Sequence, residues 1–198
     1  MRLPALIALS LVLSQPVLAE TIETSSVVSA VVGDFNKDGA QDLAMLVRGE
    51  DAMDLHLLLG VEGRGYLEPA DVVKGQIWGE AGPDSLVGQE PYLETLPNGS
   101  LAVNTRNDAV GRGRWNQKLT LAYSNNALVV AGFSYIWRDT IDPDNAGQCD
   151  INILTGKGIR ETLPETGDPV RTRIAIKGEQ TPYATWSDSN AISACNPG

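Results

Sequence analysis

The sequence predicts a mostly β protein: a single antiparallel β domain, sandwich or open barrel, following a cleaved export leader. Three observations predict it. Apolar residues recur at alternate positions along most of the chain, and apolar spacing of helical period is scarce. The interruptions are short and rich in Gly, Pro, Asn and Asp, the residues of tight turns. No unit of about 20 to 50 residues repeats, which argues against a full propeller or a solenoid.

The chain has 198 residues. Its opening, "MRLPALIALSLVLSQPVLAE", carries one basic residue, an apolar run and small side chains at Val17 and Ala19. That pattern predicts a secretory signal over residues 1–19, cleaved before Glu20. Ser10, Ser14, Gln15 and Pro16 keep the apolar run shorter than the roughly 20 residues a membrane span requires. No cysteine stands at the cleavage point to take a lipid. Residues 20–198 are then one β-rich domain of 179 residues, exported to a bacterial periplasm or the medium.

Strands are expected in order. "SSVVSAVV" and "DLAMLV" flank an acidic loop, and "MDLHLLLG" follows the break "RGEDA". "PYLETL" and "LAVNTR" surround a Pro-Asn-Gly turn, a strong hairpin signal. "WNQKLTLAYS" and "ALVVAGFSYIWR" meet at Asn125-Asn126, with Trp115, Leu119, Leu121 and Tyr123 on one face. "CDINILT" and "IRETL" form a third hairpin around Gly-Lys-Gly. "VRTRIAIKG" is the last expected strand, with Val170, Ile174 and Ile176 on its apolar side. The stretches 75–91, 106–114, 138–148 and the tail from Gly178 read as loops, and any helix is expected to be short.

The charge narrows the partners. The formal net charge is −10, and it becomes −11 once Arg2 leaves with the signal. Phosphate backbones and anionic lipids need clustered Lys and Arg, so this acidic chain is a poor candidate for either; no nucleic-acid partner and no membrane span are expected. The only cysteines, Cys149 and Cys195, lack the close spacing of redox or metal pairs. In an oxidising compartment they are expected to form one disulfide, closing a loop that stabilises by roughly 4 kcal/mol in the chain-entropy model.

One stretch points to a ligand. In "DFNKDGAQDL", Asp34, Asn36 and Asp38 hold the first, third and fifth positions of a loop, and Gly39 the sixth. Ala40 follows with a free carbonyl, and Asp42 is ninth. Hard divalent cations take oxygen ligands, Ca²⁺ about six to eight of them, and alternate residues of a tight loop converge on one centre. Three carboxylates also repel one another without a counter-charge. The expected metal ligands are therefore Asp34, Asn36, Asp38, Ala40 (through its carbonyl) and Asp42, directly or through water. Ca²⁺ is the expected cofactor.

At these residues the sequence resembles the calcium loops of FG-GAP and VCBS repeats, of the integrin α-chain type. Their pattern, Asp-x-Asp/Asn-x-Asp-Gly-x-x-Asp-Leu between two strands, matches "DFNKDGAQDL" at every defined position. The resemblance covers about residues 28–60 and one copy. It implies a structural calcium site. A single copy does not build the several-bladed propeller of that family, so the loop chemistry carries over and the fold does not. An EF-hand is a poorer match, because its twelfth position needs a bidentate Glu and here holds Met45.

Other residues are weaker candidates. Asp142, Asp144 and Asn145 in "DTIDPDNAGQCD" have the composition of a second metal loop, but turns collect the same residues. His56 is the only histidine, which excludes multi-histidine zinc sites and leaves a strand histidine with no nucleophile motif. No catalytic residue is assigned. Trp78, Trp115, Trp137 and Trp186, with Tyr66, Tyr92, Tyr135 and Tyr183, either stack on a sugar or peptide or fill the core. "RGRW" at 112–115 either holds an anionic group or carries solvated hairpin arginines. The sequence thus reads as an exported, non-enzymatic calcium-binding domain whose metal site supports interaction with a protein or glycan. The alternative is a hydrolase of envelope polymers, requiring two carboxylates about 5 to 9.5 Å apart in a cleft.

Overall fold

The computed structural model describes residues 21–196, so the signal segment and its cleavage point lie outside the described residues. The described chain folds into two antiparallel sheets with no closed barrel. The smaller sheet is a meander of β1 (Val27–Gly33), β2 (Asp42–Arg48), β3 (Met53–Gly60) and β4 (Leu67–Ile77). The larger begins with β5 (Tyr92–Thr95), β6 (Leu101–Asn107), β7 (Gly113–Ser124) and β8 (Ala127–Asp139). It continues through β9 (Ala146–Asn152), β10 (Lys157–Thr162) and β11 (Val170–Ala175), each strand bonded to its predecessor. A two-residue strand, β12 (Thr181–Pro182), returns to pair with β8, and a short helix, α1 (Ser189–Cys195), closes the described chain.

Local turn chemistry sets these pairings. Asn125 and Asn126 adopt φ of 54° and 60°, the left-handed pair that a two-residue hairpin needs to match strand twist. At the β5–β6 turn Gly99 takes φ of 80°, while Asn98 Oδ1 accepts the Ser100 amide at 3.0 Å. Asn98, Gly99 and Ser100 thus make this turn.

Both sheets bury their alternate residues in one core. Ala44, Leu46, Leu55, Leu57, Val73 and Ile77 come from the small sheet. Leu101, Val103, Leu119, Leu121, Val130, Phe133 and Ile151 come from the large one. The sheets also meet along an edge without a main-chain ladder. The Leu93 amide donates to Ser29 Oγ at 3.0 Å, and Thr95 Oγ1 donates to the Val32 carbonyl at 2.9 Å.

β8 contains a bulge that matters for the site. Thr120 pairs with Gly132 and Leu121 with Val130, so Ala131 is an extra residue. The bulge shifts the inward parity from Leu128 and Val130 to Phe133, Tyr135 and Trp137. It also lies where the neighbour of β8 changes, from β12 at Val129–Val130 to β9 from Gly132 onward.

Three expectations need correction. Residues 67–77 were not expected as a strand, yet they form β4; Pro69 cannot donate a ladder bond, and it sits on an edge strand, where that loss is tolerated. Val170 is 58% exposed, because it lies at the open end of the outermost strand, while Ile174 and Ile176 do pack against the core. The tail from Gly178 is an ordered strap carrying β12 and α1. It is fastened by the disulfide Cys149–Cys195, whose Cα atoms are 5.6 Å apart.

Candidate metal loop and aromatic cleft

The loop between β1 and β2 divides its polar residues into two groups. Asp34, Asn36 and Asp38 gather around the loop's own backbone. The Asp38 amide lies 3.0 Å from both Asp34 Oδ1 and Asn36 Oδ1. Asp34 Oδ2 accepts the Gly39 amide at 3.1 Å, and Asp38 Oδ1 accepts the Ala40 amide at 2.8 Å. Asn36 Nδ2 donates to Asp38 Oδ2 at 2.7 Å. Lys37 and Gly39 take the positive φ, 65° and 88°, that lets the chain curl this tightly. The bond from the Ala40 amide, then that from Asn36, holds the Asp38 carboxyl below the usual carboxylate range, so it is anionic at neutral pH.

Asp42 does something else. It shares the inward parity of Ala44 and Leu46 and is 1% exposed. Its Oδ2 accepts the amides of Phe35 at 2.7 Å and Asn36 at 3.3 Å, and its Oδ1 accepts that of Gly60 at 2.9 Å. One carboxylate thus ties the start of the loop to the end of β3. Among the described residues no three His, Cys, Asp or Glu side chains form a metal-ligand group. The remaining oxygen set is half-buried Asp34 and Asn36 and exposed Asp38, with the Ala40 carbonyl beside them in sequence. Each of those oxygens accepts few bonds and retains lone pairs, which fits an oxygen-coordinated cation.

The 139–145 stretch is organised by Asp139, and of its weaker metal candidates Asp144 has a side-chain partner. Asp139 Oδ1 caps the 139–145 turn through the amides of Ile141 at 2.8 Å and Asp142 at 3.2 Å. Its Oδ2 accepts from Arg112 Nε at 2.7 Å, which gives one arginine of "RGRW" an ion pair. The Ile141 amide chiefly, with Arg112 assisting, lowers the Asp139 carboxyl. Asp144 Oδ1 accepts the Glu165 amide at 3.0 Å. His56 is buried on the face of β3 opposite Leu55 and Leu57, across from Met45 and Val72.

The aromatic residues separate into core and cleft. Phe133, Tyr135 and Trp137 run along β8 with neighbouring ring centroids 5.9 and 6.0 Å apart. Trp115 lies 6.3 Å from Tyr135 and 5.0 Å from Trp78, which is 45% exposed. Over this ladder the C-terminal strap brings Tyr183, Trp186 and Asp188, and a cleft of about 450 Å³ remains between them. Gln76 joins the small sheet to the strap by donating from Nε2 to the Ala184 carbonyl at 3.0 Å. Burial, and then the charge of Asp188, pushes the hydroxyls of Tyr135 and Tyr183 above the usual tyrosine range. Among the described residues, Asp188 is the one carboxylate lining this cleft. Tyr66 and Tyr92 are exposed elsewhere.

Alternation suggested the core alternative for Trp115, Tyr135 and Trp137: the last two are buried, while Trp115 is partly buried and lines the cleft. That pattern did not assemble the cleft, whose rings come from positions 78, 115, 135, 183 and 186. Trp78 and Trp186 carried only the signal of an aromatic beside Gly or polar residues, and Tyr183, between Pro182 and Ala184, carried not even that. No protein-family model, curated protein or solved structure matches this chain.

Proposed function

We propose that this is an exported, non-enzymatic β domain in which a calcium ion bound at Asp34, Asn36 and Asp38 rigidifies the β1–β2 connection and supports binding of a protein or glycan. The observation that carries this reading is the convergence of those three side chains on the amides of residues 38–40, independently of Asp42. Asp42 anchors the loop from the buried side, so the oxygens of Asp34, Asn36 and Asp38 are held in place before an ion arrives. The setting also supports it: the loop joins the first two strands of a four-stranded antiparallel meander, the kind of sheet from which propeller blades are made. The ion would cancel the repulsion between Asp34 and Asp38 and cross-link the loop.

The test is thermal melting of residues 20–198 during calcium titration, with EDTA and magnesium as controls. Calcium at 100 times Kd stabilises by about 2.7 kcal/mol, and for a domain of this size that raises Tm by about 5 to 10 °C. Asp38→Ala is expected to abolish the gain while leaving the fold intact in EDTA. An unchanged Tm at millimolar calcium refutes the metal site.

A further inference from the structure

We propose that the cleft between the large sheet and the C-terminal strap binds a neutral saccharide. Four features carry the inference. The cleft, about 450 Å³, is of the size of small-molecule sites, which span roughly 300 to 1,000 Å³. Its walls include Trp78, Trp115 and Trp186, flat apolar surfaces of the kind on which the C–H faces of a pyranose stack. Trp78 remains 45% exposed, although tryptophan rings bury large apolar area when they can.

The third feature is an unmet donor. Trp186 Nε1 is buried without a hydrogen-bond acceptor in the protein. An indole N–H has donor capacity only, and leaving it buried and unpaired is costly; the nitrogen exposes no surface to the cleft as it stands, so a turn of the Trp186 ring would be needed to bring it to a ligand oxygen there. The fourth is the polar complement. Gln117, a donor and an acceptor, and Asp188, an acceptor when ionised, line the same space. A sugar offers hydroxyls that donate to Asp188 and accept from Trp186 while its ring face stacks.

The same residues select against other occupants. An organic cation suits aromatic walls and a carboxylate, but its ammonium centre accepts no hydrogen bond and offers few acceptors for the Trp186 N–H and Gln117. An acidic sugar would meet Asp188 and a chain of net charge −10. A neutral oligosaccharide satisfies all the groups at once.

This rests on the glycan-binding part of the proposed function and not on the metal loop, so the two fail separately. The experiment is a titration of residues 20–198 in EDTA, read by intrinsic tryptophan fluorescence and calorimetry. The probes are chitotriose, cellotetraose and maltotetraose, with trigalacturonate and choline as comparators. A saturable response to at least one neutral probe is expected. Trp78→Ala, at a half-exposed position, should keep Tm and weaken that binding about five- to tenfold. Asp188→Asn should weaken it less. Silence from all three neutral probes, tighter binding of choline or trigalacturonate, or undiminished binding by Trp78→Ala overturns the assignment.

Discussion

Removing the Asp42 carboxylate isolates the anchoring of the loop from any role of a metal. Asp42→Ala deletes both oxygens and strands the amides of Phe35, Asn36 and Gly60. The Phe35 bond is buried and short, whereas the Asn36 bond is long at 3.3 Å and partly buried. A buried donor left unpaired costs about 1 to 3 kcal/mol, and one that water reaches costs less. Phe35 and Gly60 together with a small share from Asn36 therefore give about 3 kcal/mol, from a total stability of roughly 5 to 15 kcal/mol. Asp42→Asn keeps one acceptor oxygen but turns an amide toward an amide, so about half or more of that loss is expected. The assay is urea denaturation in EDTA, followed by tryptophan fluorescence. With a slope of about 2 kcal/mol per molar, the midpoint falls by about 1.5 M for Asp42→Ala at unchanged slope. A loss below about 1 kcal/mol would mean that water replaces the carboxylate, and the anchoring argument would be wrong.

Three other perturbations follow from the same geometry. Replacing Cys149 and Cys195 together by serine releases the strap, and thermal melting should show a loss of up to roughly 4 kcal/mol. Gly147→Ala places a Cβ 2.4 Å from a ring carbon of Trp137 and 2.6 Å from the Glu161 carbonyl, so a loss of about 1 to 3 kcal/mol in urea is expected. Tyr183 is neutral in the fold and its folded pKa lies above that of the unfolded chain, so the unfolded state loses its proton first. Stability should therefore be intact below about pH 10 and fall as pH rises beyond it, and Tyr183→Phe should flatten that alkaline decline relative to its own value at neutral pH.

The strands that could be recognised in advance are those whose evidence is local. The Asn125-Asn126 turn, the Pro-Asn-Gly turn and the alternation through "WNQKLTLAY" place β5 to β8 without knowledge of any distant residue. β4 was concealed because Pro69, Glu68 and Lys74 interrupt its alternation, and an edge strand in contact with solvent tolerates such residues. The short α1 and the strap had no periodic pattern to read. The bulge at Ala131 was equally silent, since an extra residue in an apolar run looks like more apolar run.

The candidate loop shows the same division. Alternating oxygen donors around Gly39 are a local pattern, and Asp34, Asn36 and Asp38 assemble from neighbours in the chain. The work of Asp42 is not local, because one of its partners is the amide of Gly60, brought alongside by the β2–β3 pairing. The sequence alone determined an antiparallel β architecture, its principal hairpins, the cysteine pair and the donors of the acidic loop, since period-two burial and turn stereochemistry act between near neighbours. Only the tertiary structure decided that Asp42 is a buried anchor and that five scattered aromatic residues face one cleft. Both depend on which strand edges meet and where a bulge reverses the pleat, and on where a disulfide pins the tail. No short window of residues encodes those long-range pairings.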